Sequence, residues 1–167
     1  MTNAATHILV PLILADIYRD YIARKKFHLF YVLVAGIAGL FPDIDIAIYW
    51  ILNLFSKVPI GAVHRQFTHT IFIPLAFLLV ALLWKKNRKA ALFFGMISFG
   101  IFTHLVLDVL FAGQIAPFYP FSQVPIGLNL LSMLGIEAGI FPTVLDGVLL
   151  AGWLIHEFVK HRIRDFI

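Results

Sequence analysis

Five long apolar runs, at 4–22, 27–55, 67–84, 90–111 and 139–159, decide most of what this chain can become. Each reaches or exceeds the roughly 18 apolar residues that mark a helix able to cross a bilayer. Of the 167 residues, 61% are hydrophobic and 13% charged, against roughly 25% charged in an ordinary soluble domain, so a soluble core has no room to cover these side chains. The expected fold is all-α: a single integral membrane domain over residues 1–167, built as a polytopic bundle of about five hydrophobic helices. The run 27–55 is too long for one simple span, since as a continuous helix it would reach about 43 Å against a hydrocarbon core of about 30 Å. Pro42 interrupts it. That predicts a spanning part up to Phe41, a break at Pro42-Asp43-Ile44-Asp45 and a short interfacial helix over 46–55.

The basic residues orient the bundle, because cytoplasmic loops are rich in Lys and Arg. Placing the clusters at 19–26, 85–89 and 160–164 on one side accounts for 11 of the 13 Lys and Arg residues. With five spans, the N-terminus and the loops 56–66 and 112–138 then lie outside. Asp16, Arg19 and Asp20 weaken the inner end of the first span, where a tilted or half-inserted helix is the alternative. The same placement accounts for the net charge of +4 without nucleic acid; the expected partner is the lipid bilayer. Met1 to Thr6 carries no basic segment and no small-residue cleavage site, so the first run is expected to remain in the mature protein. There is no cysteine, and any metal must therefore sit on His, Asp, Glu or main-chain oxygen.

On helices rising 1.5 Å per residue, His7, Asp43, His69 and His104 each lie about 18–24 Å from the basic ends of their runs, and Asp146 about 21 Å. Segments of opposite direction thus bring their ionisable residues to one level near the outer interface. Asp43 and Asp45, just after a proline, can ligate or bridge cations, and acids at membrane depth need a partner; either also suits as the cap of the following helix. The segment His64-Arg65-Gln66-Phe67-Thr68-His69-Thr70 is the most specific. Five apart, its histidines diverge by about 140° on a continuous helix, so shared coordination needs His64 in the preceding loop and His69 in the first helical turns. Arg65 beside them can clamp a phosphate oxygen, aided by helix N-terminal amides; the alternative is an interfacial patch meeting lipid headgroups. His104 and Asp108, four apart in an apolar helix, face one way and can meet one ion. They also suit a hydrogen-bonded packing pair or a proton relay. His7 alone reads as an interfacial histidine, and Asp146 as a ligand, an outer partner of one or a packing contact. Glu137 is borne on a loop. His28, His156 and His161 fall among basic residues at the inner interface, where solvation or headgroup contact accounts for them. Gly36, Gly39, Gly95 and Gly100 permit close helix approach.

Taken in order, Thr6-His7, Pro42-Asp43-Ile44-Asp45, His64-Arg65 with Thr68-His69-Thr70, and Thr103-His104 with Asp108, followed by Gly113 and Pro120, resemble the YdjM-like, LexA-linked family of membrane-bound metal-dependent hydrolases. The resemblance runs from about His7 to Pro120 and is carried by the combination of motifs; the last helix matches only as an apolar segment with an acid near its start. It implies a multi-helix protein of the prokaryotic plasma (inner) membrane with a His/Asp metal centre, similar in ligand chemistry to the zinc-dependent phospholipase C and nuclease group. Carried onto this chain, the implied ligands are His7, Asp43, Asp45, His64, His69, His104 and Asp108. Two departures stand out. Gln66 occupies a position where the family usually has glycine, and Asp146, kept as a further candidate ligand, would replace a more common glutamate.

These His/Asp candidates exceed the four ligands of a structural zinc, which predicts two or more divalent ions in a partly open site, zinc by the preference of imidazole, with manganese or iron as alternatives. The expected reaction is hydrolysis of a phosphoester by activated water, with Asp43 or Asp45 bridging and Arg65 neutralising charge on phosphate. A site at the outer headgroup level points to a lipid or lipid-linked phosphate as substrate, with an ester or amide as alternative. An ion- or proton-coupled transporter using His104, Asp108 and Asp146 is the rival reading, yet 73–83 and 91–100 contain no ionisable residue to continue such a path. A metal-binding membrane protein that has lost its activity is the third.

Overall fold

The computed structural model describes residues 4–24, 26–136 and 140–160. Lys25, Glu137, His161, Arg162 and Arg164, which entered the expectations above, lie outside the described residues. The first apolar run forms α1, Ala4–Ile17, continued by a π turn at Tyr18–Ile22. The second splits into α2, Leu29–Ala38, and α3, Ile44–Asn53. Its break is wider than predicted, because α2 stops at Ala38 and not at Phe41. Residues 39–43 curl instead through short-range bonds such as Phe41 N–H to the Ala38 carbonyl at 3.0 Å. Pro42 offers no N–H and pushes Phe41 away from helical geometry, which favours such a turn.

A 3-10 turn at Phe67–His69 precedes α4, Phe72–Leu83. Helix α5, Arg88–Leu107, starts at Asn87, whose side chain accepts a hydrogen bond from Ala90 N–H at 3.3 Å. It runs into a second π turn at Asp108–Ala112. The following loop holds one antiparallel bridge, Ile115 to Ile126, and a short α6, Leu130–Met133, before α7, Ile140–Val159. Among the described residues the fold is all-helical, as expected.

Helix α5 sits at the centre, packed on α4, α2 and α1, while α1 also meets α7. The core between them draws Leu12 and Ala15 from α1, Leu29, Val32 and Ala35 from α2 and Met96 from α5. At two points the helices meet backbone to backbone. A Cβ on Gly39 would fall 2.0 Å from the His7 carbonyl oxygen, and one on Gly100 would fall 2.2 Å from that of Ala35. Only glycine permits these approaches, the small-residue device of membrane helix pairs. Gly95, expected to act likewise, has open space where its Cβ would be. At the other end of α5, Arg88 donates to the Lys26 carbonyl at 3.0 Å.

The continuous segment Arg88–Phe111, 24 residues, is the helix among the described residues that is long and apolar enough to cross a membrane. Helices α2, α3 and α4 are apolar but shorter; at 1.5 Å per residue α2 and α4 reach about 15 and 18 Å. The full crossings expected of the second and third runs are therefore not continuous helices. In both, the stretch nearest Asp43 or His69 has unwound into turns. Gly100→Ala should lower the thermal unfolding midpoint in detergent by an amount equivalent to about 1–3 kcal/mol, whereas Gly95→Ala on the same helix should leave it unchanged or slightly raised.

Candidate metal centre

The N-terminal end of α1, the turn between α2 and α3, the turn before α4 and the C-terminal end of α5 meet at one end of the bundle. Two histidines define the chemistry there. His104 Nδ1 lies 2.6 Å from the Gly39 carbonyl oxygen, which can only accept, so this nitrogen carries a hydrogen. Thr68 Oγ1 donates its single hydrogen to Asp45 Oδ2 at 2.7 Å. Its 3.1 Å contact with His69 Nδ1 therefore has the ring N–H as donor. With Nδ1–H fixed in both rings, it is Nε2 that each turns inward, offering a lone pair in the neutral form, and the two Nε2 atoms are 3.3 Å apart. Fixing a ring nitrogen in this way through a carbonyl or carboxylate is what orients metal-binding histidines.

Two carboxylates close on the same point. Asp43 Oδ1 lies 3.8 Å from His69 Nε2 and 3.6 Å from His104 Nε2, and Asp108 Oδ2 lies 3.4 and 3.8 Å from the same atoms. Lone pairs and anions facing one another repel unless a cation lies among them. Bonds of about 2.0–2.2 Å at tetrahedral angles would set donor atoms about 3.3–3.6 Å apart, close to these separations and longer than ordinary hydrogen bonds of about 2.7–3.2 Å. The donor set thus fits a divalent ion. His7 adds Nε2 at 3.5 Å from Asp108 Oδ1 and stacks on His104 with centroids 3.7 Å apart. Asp108, at the start of the π turn, divides its oxygens between His7 and the His69/His104 pair.

Asp45 has a different environment. Its Oδ1 accepts from His64 Nδ1 at 2.9 Å, and its Oδ2 accepts from Arg65 N–H at 3.0 Å and from Thr68, with His69 Nδ1 at 3.3 Å. Burial opposes its ionisation, but the bonds from His64, His69, Thr68 and Arg65 outweigh that and hold the carboxyl far below its usual range. Burial pushes the Asp43 carboxyl up. Arg65 takes a left-handed backbone with φ 65°, uncommon for a residue with a side chain. This aims its N–H at Asp45 and brings its Nε within 3.4 Å of Asp108 Oδ2. His64, in a turn as predicted, has its Nδ1 on Asp45, and its buried Nε2 has no hydrogen-bond partner among the described residues.

His7, Asp43, Asp45, His64, His69, His104 and Asp108 thus all belong to three overlapping groups of potential ligands. Asp146 does not join them among the described residues: its carboxylate accepts from the hydroxyl of Thr6, the neighbour of His7. A fourth group, Asp16, His156 and Glu157, lies where α1 meets α7. His156 was expected to be solvated or against headgroups, yet its Nδ1 is 3.6 Å from Asp16 and 3.2 Å from Glu157. His156 and Glu157 are sequence neighbours 100° apart on a helix, so no spacing rule flagged them; the acid at 16 was the one available signal.

Among the described residues, an all-helical fold with one helix fit to cross a bilayer and a buried His/Asp cluster at one end is the class that fold and site define. The model of the YdjM inner membrane protein family matches residues 1–164, and the chain belongs to that family. The match extends beyond the stretch from His7 to Pro120 to include α7, and it supports the inner membrane as location and the bilayer as surroundings. No curated protein and no solved structure matches the chain.

The hydrogen bonds make Asp45, more than Asp43, the structural carboxylate. Removing a buried acceptor strands its donors at about 1–3 kcal/mol per group. In chelator-treated protein, Asp45→Ala should unfold at a clearly lower temperature than Asp43→Ala; equal midpoints would contradict this division.

Proposed function

We propose that the chain is a multi-pass membrane hydrolase that cleaves a phosphoester of a lipid or lipid-linked substrate at the extracytoplasmic face. The observation that carries this reading is the pair of inward Nε2 lone pairs on His69 and His104, flanked by Asp43 and Asp108. These four would hold one ion, and His7 with Asp108 a second. A divalent ion there, zinc by ligand type with manganese or iron as alternatives, supplies a Lewis acid and an activated water at neutral pH. Asp45 is then a positioning residue, holding the outer nitrogen of His69 and the ring of His64. Arg65, anchored by its own N–H and drawn to Asp108, offers a guanidinium to the phosphate oxygens as charge develops on them. Water adds to phosphorus and the bond to the leaving oxygen breaks. His64, with Nδ1 held by Asp45, keeps the basic Nε2 that takes the water proton and returns it to the leaving group.

The outer surface supports the membrane part of this reading. Trp50, Leu54 and Leu83 are 69%, 80% and 69% exposed, an exterior suited to lipid. Turns at 39–43 and 63–71 are compatible with membrane depth because protein encloses their buried groups, Gly39, His69 and Thr70 among them. The basic ends favour the opposite face for the cytoplasm.

One observation favours a transporter instead: the Asp16/His156/Glu157 group, nine residues or about 13–14 Å along α1 from His7. Between the two groups, however, α1 buries Leu9, Leu12 and Ala15, which interrupt a polar path. Proton flux through reconstituted protein that falls with Asp16→Asn would favour transport.

Metal analysis of purified protein should find at least one tightly held transition metal per chain, lost in His69→Ala and in Asp108→Ala and kept in Asp146→Ala. Retention in both of the first two variants would remove the metal centre. Chelation should abolish phosphoester hydrolysis and re-addition of zinc or manganese should restore it. A cysteine at Ser122 should react with an impermeant reagent from outside the cell; labelling only from the cytoplasm would invert the topology.

A further inference from the structure

Of two large apolar clefts between the described helices, one reaches the candidate metal centre. The first, of about 650 Å³, lies between α2, α4 and α5. Val34 and Ile37 form one wall, Phe93 and Ile97 the other, and Phe77 of α4 closes it. Its single ionisable lining residue is Asp43, the same carboxylate whose Oδ1 faces His69 and His104. The second, of about 560 Å³, is lined by residues of α1 with the π turn and of α5, including Ile17, Tyr18, Gly95 and Phe99, and contains no acidic or basic side chain. Both have volumes typical of small-molecule sites of about 300–1,000 Å³. Contact with Asp43 sets the first apart.

We propose that the Asp43 cleft seats one hydrocarbon chain of the substrate whose phosphate is held at the metal centre. This rests on the phosphoester reading above and adds to it what selects the substrate. From His104 to Phe93 is eleven residues along α5, a rise of about 16 Å. A single extended alkyl chain running from the head at Asp43 toward Phe93 would lie along that length. The walls offer it no hydrogen-bonding side chain, so affinity comes from apolar contact and grows with chain length. Ile37 is 69% exposed and Phe41 39% exposed, which leaves the cleft open along its side, so a lipid enters laterally from the bilayer without leaving it. The site therefore prefers an amphiphile with a compact phosphate head and at least one chain over a soluble phosphoester of the same head.

Binding of methyl-, butyl- and dodecylphosphonate to the zinc-loaded full-length protein in detergent tests this without relying on turnover. Wild-type affinity should rise at least tenfold from methyl to dodecyl. Val34→Trp and Ile97→Trp, on opposite walls, should each remove most of that rise while changing methylphosphonate affinity less than threefold, with metal content intact as a check of folding. Gly95→Trp, filling the other cleft, should keep the full rise, which separates the cleft from partitioning into micelles common to all variants. A dodecyl preference that survives both wall variants, or that Gly95→Trp removes equally, overturns the cleft assignment alone. No binding of any phosphonate by metal-loaded wild type overturns the phosphoester reading, and the cleft assignment with it.

Discussion

The hydrogen bond from His104 Nδ1 to the Gly39 carbonyl, 2.6 Å long, is the contact on which the rest depends. It exists because α2 and the turn that ends it approach α1 and α5 until a single added methyl group would collide: Gly39 against the His7 carbonyl and Gly100 against that of Ala35. The same closeness brings α1, α2 and α5 together and stacks His7 on His104. The bond also decides the tautomer of His104 and hence which nitrogen faces Asp43 and Asp108. Packing and chemistry are here one constraint, since a looser bundle would lose the orientation of the ring before it lost its helices.

A second constraint comes from Asp45, 2% exposed, which gathers the turn at 64–69 onto the first turn of α3. A buried carboxylate is costly unless its lone pairs are filled, and here a backbone N–H, a hydroxyl and two imidazoles fill them. The turn carries Arg65 in a left-handed conformation and His69 at zero exposure, neither of which local sequence preferences would hold. The wide break after Ala38 is the other half of this arrangement: it ends at Asp43, the residue before α3, with Asp45 in the first turn of that helix, and the two carboxylates meet opposite nitrogens of His69 at 3.8 and 3.3 Å.

Much of the site was legible because its parts obey simple periodicities. The four-residue step from His104 to Asp108 puts both on one helical face, and the five-residue step from His64 to His69 required the turn that separates them in the structure. Helix bounds at 4–22 and near 90–111 followed from apolar length. What stayed hidden depends on contacts between segments. Nothing in the sequence says that Asp45 meets donors while Asp43 meets lone pairs, or that Asp108 divides its oxygens between His7 and the His69/His104 pair. Asp146 has the right depth yet bonds to Thr6, and depth alone does not tell a ligand from a neighbour of one. His156 looked like an inner-interface histidine because the packing of α7 on α1 has no signature in either helix alone.

The unwinding of helices at the site end also explains why apolar length overstated the spans. A helix satisfies its own backbone and leaves side chains to radiate outward, so four parallel or antiparallel helices bring only a few atoms to a common point. Turns at 39–43 and 63–71 trade helical hydrogen bonds for freedom to aim Asp43, His64 and His69 inward. The cost of unwinding that backbone falls when carbonyls and amides gain partners from the site itself, as the Gly39 carbonyl does from His104 and the Arg65 amide does from Asp45. Such backbone is tolerated in membranes where protein or a polar cavity encloses it. The His/Asp cluster is in this sense what allows the second and third apolar runs to end short, since the donors and acceptors it supplies replace those of the helix turns given up at 39–43 and 63–71.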